Sequence, residues 1–416
     1  MKILYLPAYL KPEKAASDYL WDNLCETFED SDITVEVYAP NPCRGITAEV
    51  RKEYLNRNEV LNNGHQLVYR FSLYSEGKNP ILRAIRYFLC WSIHLYRGLR
   101  AKNIECVFLD STPPIQGMLG AFIKKFRGIP FVFNLQDIFP ESLVNNGLAK
   151  KGGLLWKIGR VIENFTYKHA DKIIVISEDF KKNIMAKGVP EDKIVVVYNW
   201  VDQNAVVDVK REENKLFDKY GLDRSKFYIT YSGNIGLSQN MDMLLNVAKK
   251  ISETTNIHFV LIGEGAYKAE VENRVKEENI KNVTLLPFQP YEDISHVFSL
   301  GDMGLVISKP GTGAASVPSK TWSIMSASRP VLANFDENEL KTIIEHNKCG
   351  VFTKAGDENA FIAAILNMYK DRELCKEYGR NGRQFVMDNL TREVGTQKYV
   401  EVIKSVVAEA EAKKNG

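Results

Sequence analysis

Strand-like and helical runs alternate without a break along almost the whole chain, and that alternation limits the fold more than any other feature. Short, continuously apolar runs such as Ile3–Leu6, Val35–Tyr38, Val68–Phe71, Cys106–Leu109, Phe131–Asn134, Lys172–Ile176 and Ile194–Tyr198 read as strands buried on both faces. Segments of helical period separate them, among them Leu154–His169 and Asp179–Ala186. A second series opens near Phe227, with Tyr228–Tyr231, His258–Ile262, Val283–Leu286, Met303–Val306, Val331–Leu332 and Val351–Phe352. Strict alternation calls for parallel sheets covered by helices on both faces. Two series predict two Rossmann-like, doubly wound α/β domains. The first spans 1–201 and the second 227–387. The charge-dense stretch 202–226 reads as the linker between them, and 388–416 as a last helix returning to the first domain. In open parallel sheets ligands bind beyond the carboxyl ends of the strands, so two such sheets facing one another would hold a site in the cleft between them.

Composition narrows the class. With 45% hydrophobic and 26% charged residues and a net charge of +3, the chain is globular, and its charge balance gives no reason to expect a nucleic-acid partner. The six cysteines are scattered, with no C-x-x-C spacing, and read as reduced thiols rather than a disulfide or zinc framework. No pair of histidines and no carboxylate cluster has metal-ligand spacing, so neither a metal nor a cofactor is expected. The opening MKILYLPAYLKPEK reads as a first strand rather than a signal peptide, and no uncharged run approaches a membrane span. The expected location is cytoplasmic.

Glycine turns close several strands of the second series. Ser232-Gly233-Asn234-Ile235-Gly236 follows the first, Gly263-Glu264-Gly265 the second, and Pro287-Phe288-Gln289 the third. The fourth leads into a loop of small residues, Gly311 to Ser316, and then Pro318-Ser319-Lys320 ahead of an apolar helix. Small residues let backbone N–H groups approach a ligand, and a helix start with a lysine favours an anion. It is not a Walker loop, because the Gly-Lys-Ser/Thr ending is missing. Loops at successive strand ends should converge on one phosphate- or sugar-binding site.

In the first series, Asn134-Leu135-Gln136-Asp137-Ile138-Phe139-Pro140-Glu141 carries two carboxylates just past a buried strand. Asp137 and then Glu141 are the leading candidates for a polar contact with a ligand, with Asp110 and Glu178 weaker; the competing reading of Asp137 is a turn cap. The segment Pro80–Lys102 reads as a cationic amphipathic helix. Ile81, Ile85, Phe88, Trp91, Leu95 and Leu99 share one face, and Arg83, Arg86, His94 and Arg97 the other. Such a helix suits an anionic membrane surface, with Arg83, Arg86, Phe88, Trp91 and Arg97 facing it.

In order and spacing, LPAYLKPEKAASDYL (Leu6–Leu20), NLQDIFPES (Asn134–Ser142), ISEDF (Ile176–Phe180), VYNWVD (Val197–Asp202), SGNIG (Ser232–Gly236), IGEG (Ile262–Gly265) and VPSKTWSIMSASRPVLA (Val317–Ala333) resemble the words of glycosyltransferase family 4, the retaining nucleotide-sugar enzymes of GT-B fold. The likeness covers nearly the whole chain and is greatest to the WbuB-like fucosaminyltransferases of O-antigen and capsule synthesis.

The resemblance implies a UDP-sugar held by the C-terminal domain. Gly233, Asn234, Gly236, Gly263, Glu264, Thr312, Gly313, Ser316, Ser319 and Lys320 would line the sugar-diphosphate side, with Phe288 and Gln289 near the base. It also implies a polyprenyl-diphosphate-linked glycan as acceptor and an N-acetylated amino sugar such as N-acetylfucosamine as donor sugar. Because related families often carry a histidine where Gln136 stands, Asp137 beside it is the preferred acceptor-contacting group and Glu141 the second. With the cationic helix, a lipid-linked acceptor suits a peripheral place on the inner face of the plasma membrane. Two glutamates usual in the family stand here as Ala315 and Ser323. Its phosphate-loop Arg/Lys pair is absent between Gly233 and Met241, and Ala15-Ala16 replace paired glycines. The rival readings are a UDP-N-acetylhexosamine 2-epimerase of the same fold and a non-catalytic scaffold.

Overall fold

The computed structural model describes residues 1–13, 18–75, 79–145, 149–253, 255–313 and 317–415. The chain divides into two compact units, Met1–Tyr198 with Gly395–Gly416, and Asn199–Val394.

The first unit contains β1 (Lys2–Tyr5), β2 (Thr34–Pro40), β3 (Glu59–Leu61), β4 (Gln66–Phe71), β5 (Cys106–Asp110), β6 (Phe131–Leu135), β7 (Lys172–Val175) and β8 (Ile194–Val196). They form one sheet in the order β3-β4-β2-β1-β5-β6-β7-β8, parallel except for the β3–β4 pair. The short β3 is absent from the sequence reading. It is three residues long at a sheet edge with Val60 and Leu61 exposed, so it lacks the buried apolar run that marks the others. Helices Pro80–Arg100, Gln116–Arg127 and Leu154–His169 pack side by side. A Cβ on Gly117 would overlap Thr166 of the neighbouring helix, so this glycine sets the close approach of two of them.

The second unit contains β9 (Phe227–Ser232), β10 (Ile257–Ile262), β11 (Val283–Leu286), β12 (Met303–Ile307), β13 (Val331–Phe335) and β14 (Gly350–Lys354). All are parallel, in the order β11-β10-β9-β12-β13-β14, which is the dinucleotide-fold order with the switch point between β9 and β12. Phe227, Ile229 and Tyr231 of β9 alternate into one core cluster with Phe259, Leu261 and Leu305, while Tyr228 joins Val260 and Ile262 on the other face. A sheet buried on both sides reads in sequence as uninterrupted apolar strands.

The stretch 202–226, expected as a linker, belongs to the second unit. Its helix Leu216–Tyr220 buries Leu216 and Phe217 against Tyr228, and Asn214 and Arg211 bond into the same unit through His296 O and Asp302. The charges that suggested a connector cover the outside of a packed segment. Residues from Gly395 on, in the last helix Arg392–Asn415, belong to the first unit, where Tyr399, Val400, Ile403 and Val406 are buried at helical spacing.

Candidate functional site

Register brings the glycine turns of the second unit to one level. Ile262 at the end of β10 pairs with Ser232 of β9 and Leu286 of β11. The turns that follow are then tied together by backbone bonds: Gly233 N donates to Ile262 O (3.0 Å), Ile235 N to Glu264 O (2.8 Å) and Tyr267 N to Ile235 O (3.0 Å). Lys309 N, past β12, donates to Ser238 O at 2.7 Å, which joins the fourth loop to the first. Gly233, Asn234, Gly236, Gly263, Glu264 and Thr312 thus lie in one cross-linked set of loops. Glu264 is exposed and paired with Lys268 at 2.7 Å, and Thr312 Oγ1 donates to Lys309 O at 2.7 Å.

Lys320 opens the helix Lys320–Ser326 and packs against the β9 turn. A Cβ on Gly233 would come within 2.8 Å of Lys320 Nζ and push the ammonium from its seat, and the φ of 141° there itself favours glycine. Lys320 Nζ stands 3.8 Å from the centroid of the Tyr231 ring, a cation–π seat. Burial brings its pKa down to about 7, with no charged neighbour contributing. A half-buried lysine without a counter-ion among the described residues is suited to an anion from outside. Ser323 lies three residues on and is half-buried, while Ser319 is exposed and its side chain makes no capping bond.

Two expected contributions differ. The Gln289 amide is committed inside the protein: its Oε1 accepts from Lys219 Nζ (3.0 Å) and its Nε2 donates to Tyr220 OH (2.8 Å) and Pro287 O (2.6 Å). Phe288 beside it is 68% exposed and open to a stacking ligand. The N–H groups of Gly311 and Gly313 do not face an anion site either. They donate to the Asp336 carboxylate at 2.9 and 2.7 Å, which latches the small-residue loop to the end of β13. Ala315 and Ser316 lie outside the described residues.

Two residues here escaped the sequence reading. Asp336 is the latch. Lys309 is a half-buried cation 5.6 Å from the Tyr267 ring centroid, on a loop tied to the β9 turn. Its place immediately after a buried strand was the available signal.

In the first unit the carboxyl ends of β1, β5 and β6 carry a polar network. Asp110 and Asn134 are register partners, and Asn134 Nδ2 donates to Asp110 Oδ1 at 2.7 Å. Tyr5 OH donates to the other Asp110 oxygen. Gln136 Nε2 donates to Asn134 Oδ1 at 2.9 Å, and Tyr399 OH to the same oxygen at 3.0 Å. Burial pushes the Asp110 carboxyl upward, against the donors from Tyr5 and Asn134.

Asp137 is exposed at the rim of a small open recess lined also by Ser111, Phe133, Phe139 and Tyr167. Among the described residues its side chain makes no capping bond. Glu141 is engaged in an ion-pair cluster: Lys187 Nζ pairs with it at 2.8 Å and with buried Glu163 at 2.7 Å.

The basic helix is turned differently from its helical-wheel reading. Arg86 and His94 are both 0% exposed. Arg86 Nε donates to Tyr74 O at 3.1 Å, and His94 Nε2 lies 2.9 Å from Tyr38 O, with burial holding its pKa down to about 3. Trp91 is half-buried against Phe122 and the core. Arg83, Phe88 and Arg97 remain exposed, and Ile81 and Phe88 are 70% and 63% open to solvent. The first half of the helix therefore shows its apolar side outward. The apolar strip extends over the two neighbouring helices through Phe126, Leu154, Leu155 and Val161, alongside exposed Lys125, Arg127 and Lys157. Among the described residues no helix is long and apolar enough to cross a membrane.

Comparison with known proteins finds a family model for each half of the chain. Residues 19–205 match the family described as Glycosyltransferase Family 4, and residues 212–385 match Glycosyl transferases group 1. WbjE of Pseudomonas aeruginosa, named a probable glycosyltransferase, is 24% identical over 312 residues, 75% of this chain and 77% of that one. WcaI of Escherichia coli K12, named a colanic acid biosynthesis glycosyl transferase, is 28% identical over 211 residues, 49% of this chain and 51% of that one. Among solved structures, Anabaena HepE in complex with UDP is 17% identical with a TM-score of 0.72, covering 97% of this chain and 100% of that one. The same protein has been solved with UDP-glucose, with a TM-score of 0.69.

Proposed function

The chain is a glycosyltransferase of GT-B fold, and from that premise we propose that it transfers a sugar from UDP, with retention, to a lipid-linked glycan during assembly of a bacterial surface polysaccharide. The observation that carries the donor half is Lys320, seated under the β9 turn without a counter-ion among the described residues. Departure of a nucleoside diphosphate leaves negative charge on its oxygens, and a preorganised, partly desolvated ammonium stabilises that charge more than water does. Lys309 supplies a second cation on the adjoining loop, in place of the Arg/Lys pair that the β9 turn lacks. Ser323, one turn from Lys320, would take the ribose hydroxyl in place of the glutamate usual in the family. HepE, solved with UDP and with UDP-glucose, favours uridine as the base.

On the acceptor side Asp137 is an exposed, uncommitted carboxylate beside a recess, suited to orient an incoming hydroxyl. The names of WcaI and of the capsular polysaccharide enzyme CapM of Staphylococcus aureus support a surface polysaccharide as product. The choice of an N-acetylated amino sugar, such as N-acetylfucosamine, and of a polyprenyl-diphosphate carrier rests on the family resemblance. Calorimetry with UDP and GDP, followed by UDP-release assays, tests the reading. The release assays would combine UDP-glucose, UDP-N-acetylglucosamine and UDP-N-acetylfucosamine with detergent-dispersed undecaprenyl-diphosphate-linked N-acetylglucosamine. UDP should bind and GDP should not; absence of binding by UDP and by every UDP-sugar would sink the proposal.

A lipid-linked acceptor makes a peripheral place on an anionic membrane useful, and the three-helix strip offers apolar and basic side chains together. The chain should sediment with phosphatidylglycerol vesicles and not with phosphatidylcholine ones. The Phe88→Asp/Phe126→Asp pair should cut that partitioning at least about tenfold, since it places charge where apolar surface would enter the bilayer. Equal sedimentation of variant and parent would remove the strip from the interface. Arg86, being buried, is not a residue with which to test it.

A further inference from the structure

We propose that Tyr399, supplied by the last helix of the chain, is a positioning residue for the acceptor-side segment Asn134–Asp137. The inference rests on the reading of Asp137 as the acceptor contact. Tyr399 is 2% exposed, and its ring meets Phe108 of β5 at 6.0 Å between centroids. Its hydroxyl donates to Asn134 Oδ1 at 3.0 Å and accepts from Gln136 Nε2 at 3.3 Å. Gln136 Nε2 also donates to Asn134 Oδ1 (2.9 Å), which closes a three-membered ring of side chains. On the far side, Asn134 is anchored to Asp110, and Gln136 N donates to Ser111 Oγ at 3.1 Å.

The ring therefore fixes both residues that flank Leu135, and Asp137 is the next residue along. A carboxylate must be held to within a fraction of an ångström to orient a hydroxyl. An exposed side chain at a strand end has that precision only if its backbone is fixed from behind, and Tyr399 fixes it. The helix that carries Tyr399 is seated independently by Val400, Ile403 and Val406 and by Thr27 Oγ1, which donates to Thr396 Oγ1 at 2.8 Å. Loss of one hydroxyl should leave that helix in place.

The test compares Tyr399→Phe, Gln136→Leu and Asp137→Asn in the full chain. Turnover is measured with the UDP-sugar and undecaprenyl-diphosphate-linked acceptor giving most UDP release, and UDP affinity by calorimetry. Tyr399→Phe and Gln136→Leu should each raise the acceptor KM or lower kcat about tenfold or more, with UDP affinity within twofold of the parent. A merely destabilised protein would lose UDP affinity and turnover together. Impaired Asp137→Asn alongside wild-type kinetics in both Tyr399→Phe and Gln136→Leu overturns the role of Tyr399 alone. Wild-type kinetics in Asp137→Asn removes the acceptor reading and this inference with it. Should Tyr399→Phe fail to fold, Gln136→Leu carries the same comparison.

Discussion

Lys320→Ala should lower UDP-sugar turnover by about 10²–10³-fold, the scale of removing one preorganised group that stabilises developing charge, while raising the thermal midpoint of the unliganded chain. The two effects have one cause. The ammonium lies against Gly233 and the Tyr231 ring with no counter-ion among the described residues, and burial brings its pKa to about 7. The unfolded value is about 10.4, so between the two the unfolded chain holds the extra proton. Stability of the unliganded protein then rises with pH from about 7 toward 10, and below 7 the whole cost of a buried charge is present. Lys320→Ala or Lys320→Met removes both the cost and the slope. UDP reverses the balance, because the diphosphate restores the charge. Binding should therefore take up a proton above pH 7 and weaken as pH rises further. Calorimetry in two buffers of different ionisation enthalpy reads the uptake directly. An unchanged turnover, or a binding constant flat from pH 6.5 to 9 in the parent, would deny Lys320 this role.

The fold was legible because its strands are buried on both faces and so appear as unbroken apolar runs; β3, exposed and three residues long, had no such mark. The strand-end glycines were legible because a tight turn between register-matched strands needs them. What the sequence withheld was orientation and partnership. The wheel of Pro80–Arg100 separates charged from apolar residues correctly but cannot say which side meets the protein. In the structure Arg86 and His94 reach backbone carbonyls that no periodicity reports, and the apolar side of the first turns is left outside. Gln289 and Glu141 likewise had the right chemistry at the right strand ends, yet partners distant in sequence, Tyr220 and Lys187, had already claimed them. Asp336 was invisible for the complementary reason: a carboxylate that accepts two backbone N–H groups leaves no pattern in the chain.

Gly263→Ala should destabilise the second unit by about 3 kcal/mol or more, the scale of a strained backbone position that cannot relax. The midpoint should then fall by about 6–12 °C, at the 2–4 °C per kcal/mol usual for a unit of this size. Gly263 has φ 154°, and a Cβ there would overlap the Gly233 carbonyl oxygen. Neither side can yield cheaply, since Gly263 N is bonded to Leu286 O at 3.2 Å and Gly233 N to Ile262 O at 3.0 Å. Gly311→Ala is the matched control. Its φ of 82° carries backbone strain, but a Cβ there meets nothing within 4 Å, so its cost should be about 1 kcal/mol. The comparison also tests how the site is built. If the β10 turn holds the β9 turn against Lys320, displacing Gly233 must loosen the ammonium's seat and move its pKa back toward that of a free lysine. In Gly263→Ala the pH dependence of UDP binding would then shift upward as affinity falls, whereas Gly311→Ala would leave that dependence where it was. Loss of affinity with no such shift would mean that the turn contacts the nucleotide without setting the lysine.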